Sequence, residues 1–228
     1  INELASYLAG HSVGEYGALC AGEVFEIGTA ATLLRARGNA MQNSCPSGKG
    51  AMVACLGVGV DQVEPIALAA NKIGICDIAN DNNPSQVIVS GEVAAIEEVI
   101  SELSKMGAKA IKLNVSGPFH SRLMLPAEKA MEAIIRETHF ESSKIPVILN
   151  VMASPSSDVN VIKDSLVKQI CGRVRWTETI EFMKVVGVTE VVEVGSGKVL
   201  TGMLRKLDHG FTLKNVGNII ELEEFLKN

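Results

Sequence analysis

What this chain lacks narrows its identity before any motif is considered. Aromatic residues make up only 4% of it, with a single tryptophan. Alanine, valine, isoleucine and leucine fill the interior instead, as in α/β folds with buried parallel strands. Basic charge is not in excess: 21 Lys and Arg stand against 26 Asp and Glu, a net charge of −5. That balance argues against a nucleic-acid binder, which needs a basic face. No apolar run approaches the roughly 20 residues of a membrane span, and no signal peptide is visible. The five cysteines (Cys20, Cys45, Cys55, Cys76 and Cys171) are odd in number, scattered and never in C-x-x-C. Neither a disulfide framework nor a metal site is expected, and the setting reads as a reducing cytoplasm. An initial methionine is also missing: the chain opens Ile1-Asn2-Glu3, as a piece of a longer polypeptide would.

What is present suits one large domain, or one domain carrying an insertion: 228 residues, 47% apolar and 21% charged. An α/β class follows from the alternation of elements. Helices are expected at Glu15–Cys20, Glu26–Ser44, Leu123–Glu137, Val161–Ile170, Thr177–Val186, Lys198–Leu207 and Ile219–Leu226, and strands at Tyr7–Ala9, Val147–Val151 and Glu190–Val194. Together 1–44 and 114–228 should form a parallel-sheet core. Between them, Pro46-Ser47-Gly48-Lys49-Gly50 marks a boundary. The stretch 45–113 then reads βαββαβ, the split unit of ferredoxin-like folds, and is expected as an inserted subdomain.

Gly10-His11-Ser12-Val13-Gly14 follows the first strand and opens a helix, the setting in which G-x-S-x-G presents a serine on a sharp turn. Both glycines are expected to be needed sterically. The Val13 amide, at a helix N-terminus, could receive an oxyanion. The plainer alternative is an ordinary glycine-rich junction. A serine needs a base. His120, in the turn Ser116-Gly117-Pro118-Phe119-His120-Ser121, is the best placed of the four histidines, whereas His139 and His209 read as solvated and the side chain of His11 should diverge from its neighbour Ser12. Arg37 has Leu33, Leu34, Ala40 and Met41 at helical spacing, so it projects from an apolar face and invites an anion from elsewhere; Arg35 reads as solvated. Glu193-Val194-Gly195-Ser196-Gly197-Lys198 lacks the spacing of a phosphate loop and reads as tight strand–helix packing. Glu221, Glu223 and Glu224 read as the exposed side of a terminal helix.

Six strings, in order along nearly the whole chain, resemble one family: Gly10–Tyr16, Arg35–Gln42, Asn83–Gly91, Gly117–Ser121, Arg175–Thr177 and Glu193–Leu200. The chain is similar to the malonyl-CoA:acyl-carrier-protein transacylases of fatty-acid synthesis and the acyltransferase domains of polyketide synthases. The resemblance implies a hydrolase-like core with an inserted ferredoxin-like subdomain. It implies Ser12 as the acylated nucleophile and His120 as base, oriented by the backbone carbonyl of Gln169. Arg37 becomes the clamp for the malonyl carboxylate, with Phe119 and His11 lining the acyl site and the Val13 amide holding the oxyanion. Malonyl-CoA and acyl carrier protein are the implied partners, with no cofactor beyond the CoA ester and no nucleic acid or membrane; a monomer is expected. The carrier protein is acidic, so Arg173, Arg175, Lys198, Arg205 and Lys206 are candidates for its dock. Family members begin with a Gly-Gln-Gly segment supplying a second oxyanion amide, which these residues do not include; Ser196 also stands where a proline is common.

Two other functions remain open on the sequence. An α/β-hydrolase esterase would use a late histidine, His209, with Asp158 or Asp164. A non-catalytic remnant would bind carrier protein without turnover.

Overall fold

A computed structural model describes residues 5–207 and 210–227 and divides into two compact units, Ile1–Thr177 and Glu178–Asn228. In the first, β1 (Leu8–Ala9) leads into α1 (Val13–Ala21) and α2 (Ile27–Ser44). Then come β2 (Gly50–Leu56), α3 (Val60–Ala70), β3 (Cys76–Asn83), β4 (Gln86–Glu92), α4 (Val93–Lys105) and β5 (Lys109–Lys112). A 3-10 turn (Arg122–Met124) enters α5 (Leu125–Glu137), followed by β6 (Val147–Leu149), β7 (Ser154–Ser156), α6 (Val159–Gln169) and β8 (Val174–Arg175). From there α7 (Trp176–Val185) carries the chain into the second unit, where β9 (Glu190–Val194), α8 (Val199–Leu204), β10 (Thr212–Val216) and α9 (Ile219–Phe225) follow. The fold is mixed α/β.

The parallel sheet expected beneath Ser12 is realised only in part. β1 pairs parallel with β6, Leu8 opposite Val147, but β7 runs antiparallel on β6. Only residues 150–153 separate β6 from β7, and a parallel return needs a crossover of about a dozen residues or more. Among the described residues β9 pairs with β10, parallel, in the second unit. The strands β7, β8 and β10 were not expected: β7 and β8 are too short to show a period, and β10 alternates weakly.

The larger sheet has the order β5-β2-β4-β3-β8. Its first four strands pair antiparallel, and β8 joins β3 in parallel. Alternation along β2 explains why the run reads as continuously apolar. Val53 and Cys55 face the core under α3 and α4 with Val63, Ile96, Val99 and Leu103, while Met52 and Ala54 join Ala79 and Ile88 on the other side. A separate core gathers Tyr16, Leu19, Leu33, Met131, Ile135, Val147, Leu149 and Leu166 from α1, α2, α5, β6 and α6. Each such side chain contributes roughly 1.5–3 kcal/mol when fully buried. Phe119 packs against both this core and the Met52 cluster, so the turn bearing His120 is anchored from two sides.

Candidate active site

β1 delivers the chain to the elbow. Gly10 has to be glycine, because a Cβ there would lie 1.9 Å from the Gly14 carbonyl oxygen. Gly14 does not, since a Cβ on it would meet nothing within 4 Å. The steric need for two glycines therefore holds at the first position only: the close approach is of the Gly10 α-carbon to the Gly14 backbone, and not the converse. Ser12 takes φ 53°, ψ −107°, outside the wells open to an ordinary L-residue, and stands at the N-terminus of α1.

His120 meets it there. Ser12 Oγ lies 2.7 Å from His120 Nε2, and His120 Nδ1 faces the carbonyls of Gln169 at 2.9 Å and Gly172 at 3.2 Å. These carbonyls belong to the end of α6 and the turn after it, where helix geometry leaves oxygens without intrahelical partners. Two acceptors at Nδ1 place the imidazole hydrogen on that nitrogen, so Nε2 accepts from the serine hydroxyl. Burial, and then the neighbouring Arg37 charge, hold the His120 pKa down to about 3. The ring is a neutral proton acceptor at any physiological pH.

Arg37 is buried and Arg35 exposed, as their helical spacing implies. Arg37 Nη2 donates to Ser12 Oγ at 3.1 Å and to Gln169 Oε1 at 3.1 Å, and the guanidinium lies 5.9 Å from the Tyr16 ring centre. Its Nε is buried with no hydrogen-bond partner among the described residues. A guanidinium presenting an unused donor beside a serine hydroxyl can receive a carboxylate. Gln169 also donates through Nε2 to the Ser12 carbonyl at 3.0 Å, so this one side chain ties Arg37 to the elbow.

His11 turns away from Ser12, as expected of its neighbour. Its Nε2 lies 2.8 Å from Asn82 Oδ1, its ring meets Trp176 edge-on at 5.3 Å, and burial lowers its pKa against the Asn82 hydrogen bond. Val13 is the first residue of α1; the next two amides, of Gly14 and Glu15, turn back to the carbonyls of His11 and Ser12. Phe119 is half-buried on the two apolar clusters described above.

Sequence reasoning missed three residues here: Glu15, Asn82 and Asn150. Glu15 is fully buried, and desolvation raises its carboxyl to about 7 against the Asn150 amide and the Arg37 charge. Its signal was legible, since Ala18 and Leu19 at helical spacing put it on an apolar face. Asn150 ends the apolar run of β6 at the carboxyl edge of the sheet, where α/β folds gather their sites.

The remaining candidates fall elsewhere. His139 is exposed and pairs with Glu141; His209 lies outside the described residues. Asp158 caps α6 by accepting from the Val161 amide at 2.9 Å, and Asp164 pairs with Arg136, so both acids of the esterase reading have other work. In the glycine-rich loop after β9, Glu193 accepts the amides of Leu200 at 2.9 Å and Thr201 at 2.7 Å. The protein's own carboxylate thus occupies the helix end that would have held a phosphate. Glu221 is likewise not a plain surface acid, for it accepts the Gly217 amide at 2.6 Å. Among the described residues no group of His, Cys, Asp and Glu could hold a metal ion.

The model of the acyl transferase domain family matches residues 5–212. The chain is 35% identical over 224 residues to a malonyl CoA-acyl carrier protein transacylase of Staphylococcus aureus, covering 97% of this chain and 73% of that protein. It superposes on the acyl-carrier-protein-S-malonyltransferase of Bartonella henselae with TM-score 0.95 and 43% identity, over 99% of this chain and 72% of that one. A malonyl-transacylase in complex with a type II PKS acyl-carrier protein gives TM-score 0.94 and 34% identity, over 98% and 72%. Matched by this family's model over most of its length and similar to its members along nearly all of it, the chain belongs to the acyl transferase domain family.

Proposed function

We propose that the chain transfers a malonyl group from malonyl-CoA to the phosphopantetheine thiol of acyl carrier protein through a malonyl ester on Ser12. The carrying observation is that Ser12 Oγ touches both His120 Nε2, at 2.7 Å, and Arg37 Nη2, at 3.1 Å. An acyl group attacked by Ser12 and anchored on Arg37 must bear its anion only a few atoms from the carbonyl carbon, and malonyl places it one methylene away. Acetyl would leave the guanidinium buried and unpaired.

In the first half-reaction Ser12 Oγ attacks the thioester carbon while its proton passes to His120 Nε2. The oxyanion is held by the Val13 amide. The carbon–sulfur bond then breaks, and the CoA thiolate takes the proton from His120. The carrier thiol reverses these steps, giving its proton to His120 as it attacks the Ser12 ester, and Ser12 recovers a proton on leaving. Gln169 orients His120 through its carbonyl, and Phe119 and His11 border the acyl site. CoA is a co-substrate, and no other cofactor is required.

Several finer readings belong to the same proposal. The order β2-α3-β3-β4-α4-β5, with neighbours β5-β2-β4-β3, supports a ferredoxin-like subdomain over 45–113, set into a hydrolase-like core formed by 1–44 and 114–228. The basic side chains Arg173 and Arg175 of the first unit, and Lys198, Arg205 and Lys206 of the second, are contacts for an acidic carrier protein. Arg175 also donates to the carbonyls of Val151 and Met152. The enzyme acts as a cytoplasmic monomer; no helix among the described residues is long and apolar enough to cross a membrane.

Intact-mass spectrometry before and after mixing with malonyl-CoA tests the reading. The expected result is a malonyl-sized adduct, absent in Ser12→Ala and not formed with acetyl-CoA. An adduct that survives in Ser12→Ala, or an enzyme that merely hydrolyses the thioester after His120→Ala, would overturn it.

A further inference from the structure

Asn150 is engaged on every polar group it has. Its Oδ1 accepts the Ser12 amide at 2.7 Å and its Nδ2 donates to the Gly10 carbonyl at 2.7 Å. Its own amide donates to Glu15 Oε2 at 2.8 Å, and its carbonyl accepts the Arg175 amide at 3.0 Å. The residue is 1% exposed. One primary amide therefore grips the elbow on both sides of His11, at the two backbone groups that flank the turn into Ser12. Ser12 sits at φ 53°, ψ −107°, a conformation that persists only where the surroundings over-determine it.

We propose that Asn150 is the positioning residue of the nucleophile. Its amide locks the elbow in the conformation that aims Ser12 Oγ at His120, while Glu15 and Arg175 fix the Asn150 backbone that carries it. A second consequence concerns the oxyanion. The Ser12 amide is consumed by Asn150 Oδ1, so the elbow offers the Val13 amide for that purpose and not the nucleophile's own. The side-chain demand is specific: one acceptor for Ser12 and one donor for Gly10, at fixed separation. Only asparagine supplies both at this length without charge. This inference rests on Ser12 being the nucleophile.

Asn150→Asp is the discriminating variant, because it keeps shape and the acceptor but replaces the donor with an oxygen that repels the Gly10 carbonyl unless protonated. The charged or titratable groups around it are Glu15 on α1, Arg175 on β8, and His120 and Arg37 through Ser12. Malonylation is followed by rapid quench across pH, with thermal unfolding alongside, for wild type, Asn150→Asp, Asn150→Ser and Ser12→Ala. Displacement of a reacting group by about 1 Å can cost on the order of 10²-fold, so a loss of that size in the acylation rate constant is expected, with the KM for malonyl-CoA within about twofold. Asn150→Asp should gain a limb in which activity falls as pH rises, since only its protonated form can donate to Gly10. Asn150→Ser, which removes the grip without adding charge, should lose rate with no such limb. If Asn150→Asp fails to fold, the rate per folded molecule of Asn150→Ser decides. Wild-type rates in the folded variants, or losses that track the unfolded fraction alone, would overturn the role of Asn150. An adduct persisting in Ser12→Ala would instead overturn the nucleophile assignment beneath it.

Discussion

Ser12 and His120, joined by a 2.7 Å hydrogen bond, are both held at positive φ, 53° and 57°. Two left-handed residues in contact imply that the fold pays locally to bring a hydroxyl and an imidazole together, at roughly 1–3 kcal/mol for each strained residue. Their surroundings make this possible: the elbow is gripped by Asn150 and Gln169, and the histidine turn is pinned by Ser121 Oγ on the Pro118 carbonyl at 2.6 Å.

Arg37 should decide acyl selectivity. Arg37→Ala is expected to lower kcat/KM for malonyl-CoA by roughly 10⁴-fold, the penalty typical of losing a charged recognition group, while acetyl-CoA gains relative to it. Arg37→Lys should recover only part of this, because a point charge cannot hold a carboxylate bidentately. The ratio of the two substrates' kcat/KM values reads the effect, and an unchanged ratio would remove Arg37 from the acyl site.

The two elbow glycines should respond differently. Gly10→Ala forces a Cβ to within 1.9 Å of a backbone oxygen and is expected to destabilise by at least about 1–3 kcal/mol, with loss of serine labelling. Gly14→Ala places its methyl in open space and exchanges a poor helix former for a good one, so its stability should change by no more than about 1 kcal/mol and toward greater stability. Urea denaturation of the two variants distinguishes them, and equal losses would contradict the geometry.

Glu15 should lower stability at high pH. Its carboxyl is raised to about 7 from 4.5, so the folded state binds a proton that the unfolded state has released between those values. Stability from this group is present below the lower value and is lost as pH rises through the upper one. Glu15→Gln removes the dependence, so its Tm advantage over wild type should be largest near pH 8 and shrink on acidification to pH 4.5. An advantage constant with pH would show that Glu15 does not titrate there.

His120 should remain a base far into acid. With its pKa held to about 3, the acylation half-reaction should show no limb at the pH of an ordinary imidazole, about 6.5. The cleanest background is Glu15→Gln, which removes a buried group that titrates near neutrality. The same shift has a stability consequence of opposite sign to that of Glu15: the unfolded imidazole takes up a proton that the folded one refuses, so stability from His120 is lost as pH falls from 6.5 toward 3. Single-turnover acylation between pH 8 and 5 checks the first expectation, and a midpoint near 6.5 would refute it.

Much of this protein was determined by local sequence. The βαββαβ order was legible locally, because the short apolar run of β2 and the 3- and 4-residue spacing of Val93, Ile96, Val99 and Leu103 on α4 are properties of single segments. The elbow was legible locally, as the close approach of Gly10 to Gly14 lies within five consecutive residues. Arg37 was separable from Arg35 by its own helix alone. Tertiary structure decided what local rules could not reach. β7 turned back on β6 because of a connection too short to cross over, and β9 found β10 as its neighbour. Gly14 proved sterically free, since the close approach in the elbow is made by Gly10. Above all, Glu15, Asn82 and Asn150 entered the site through partners 71 to 140 residues away. A buried polar group is stable only when its hydrogen bonds are met, and which groups meet is settled by folding in three dimensions.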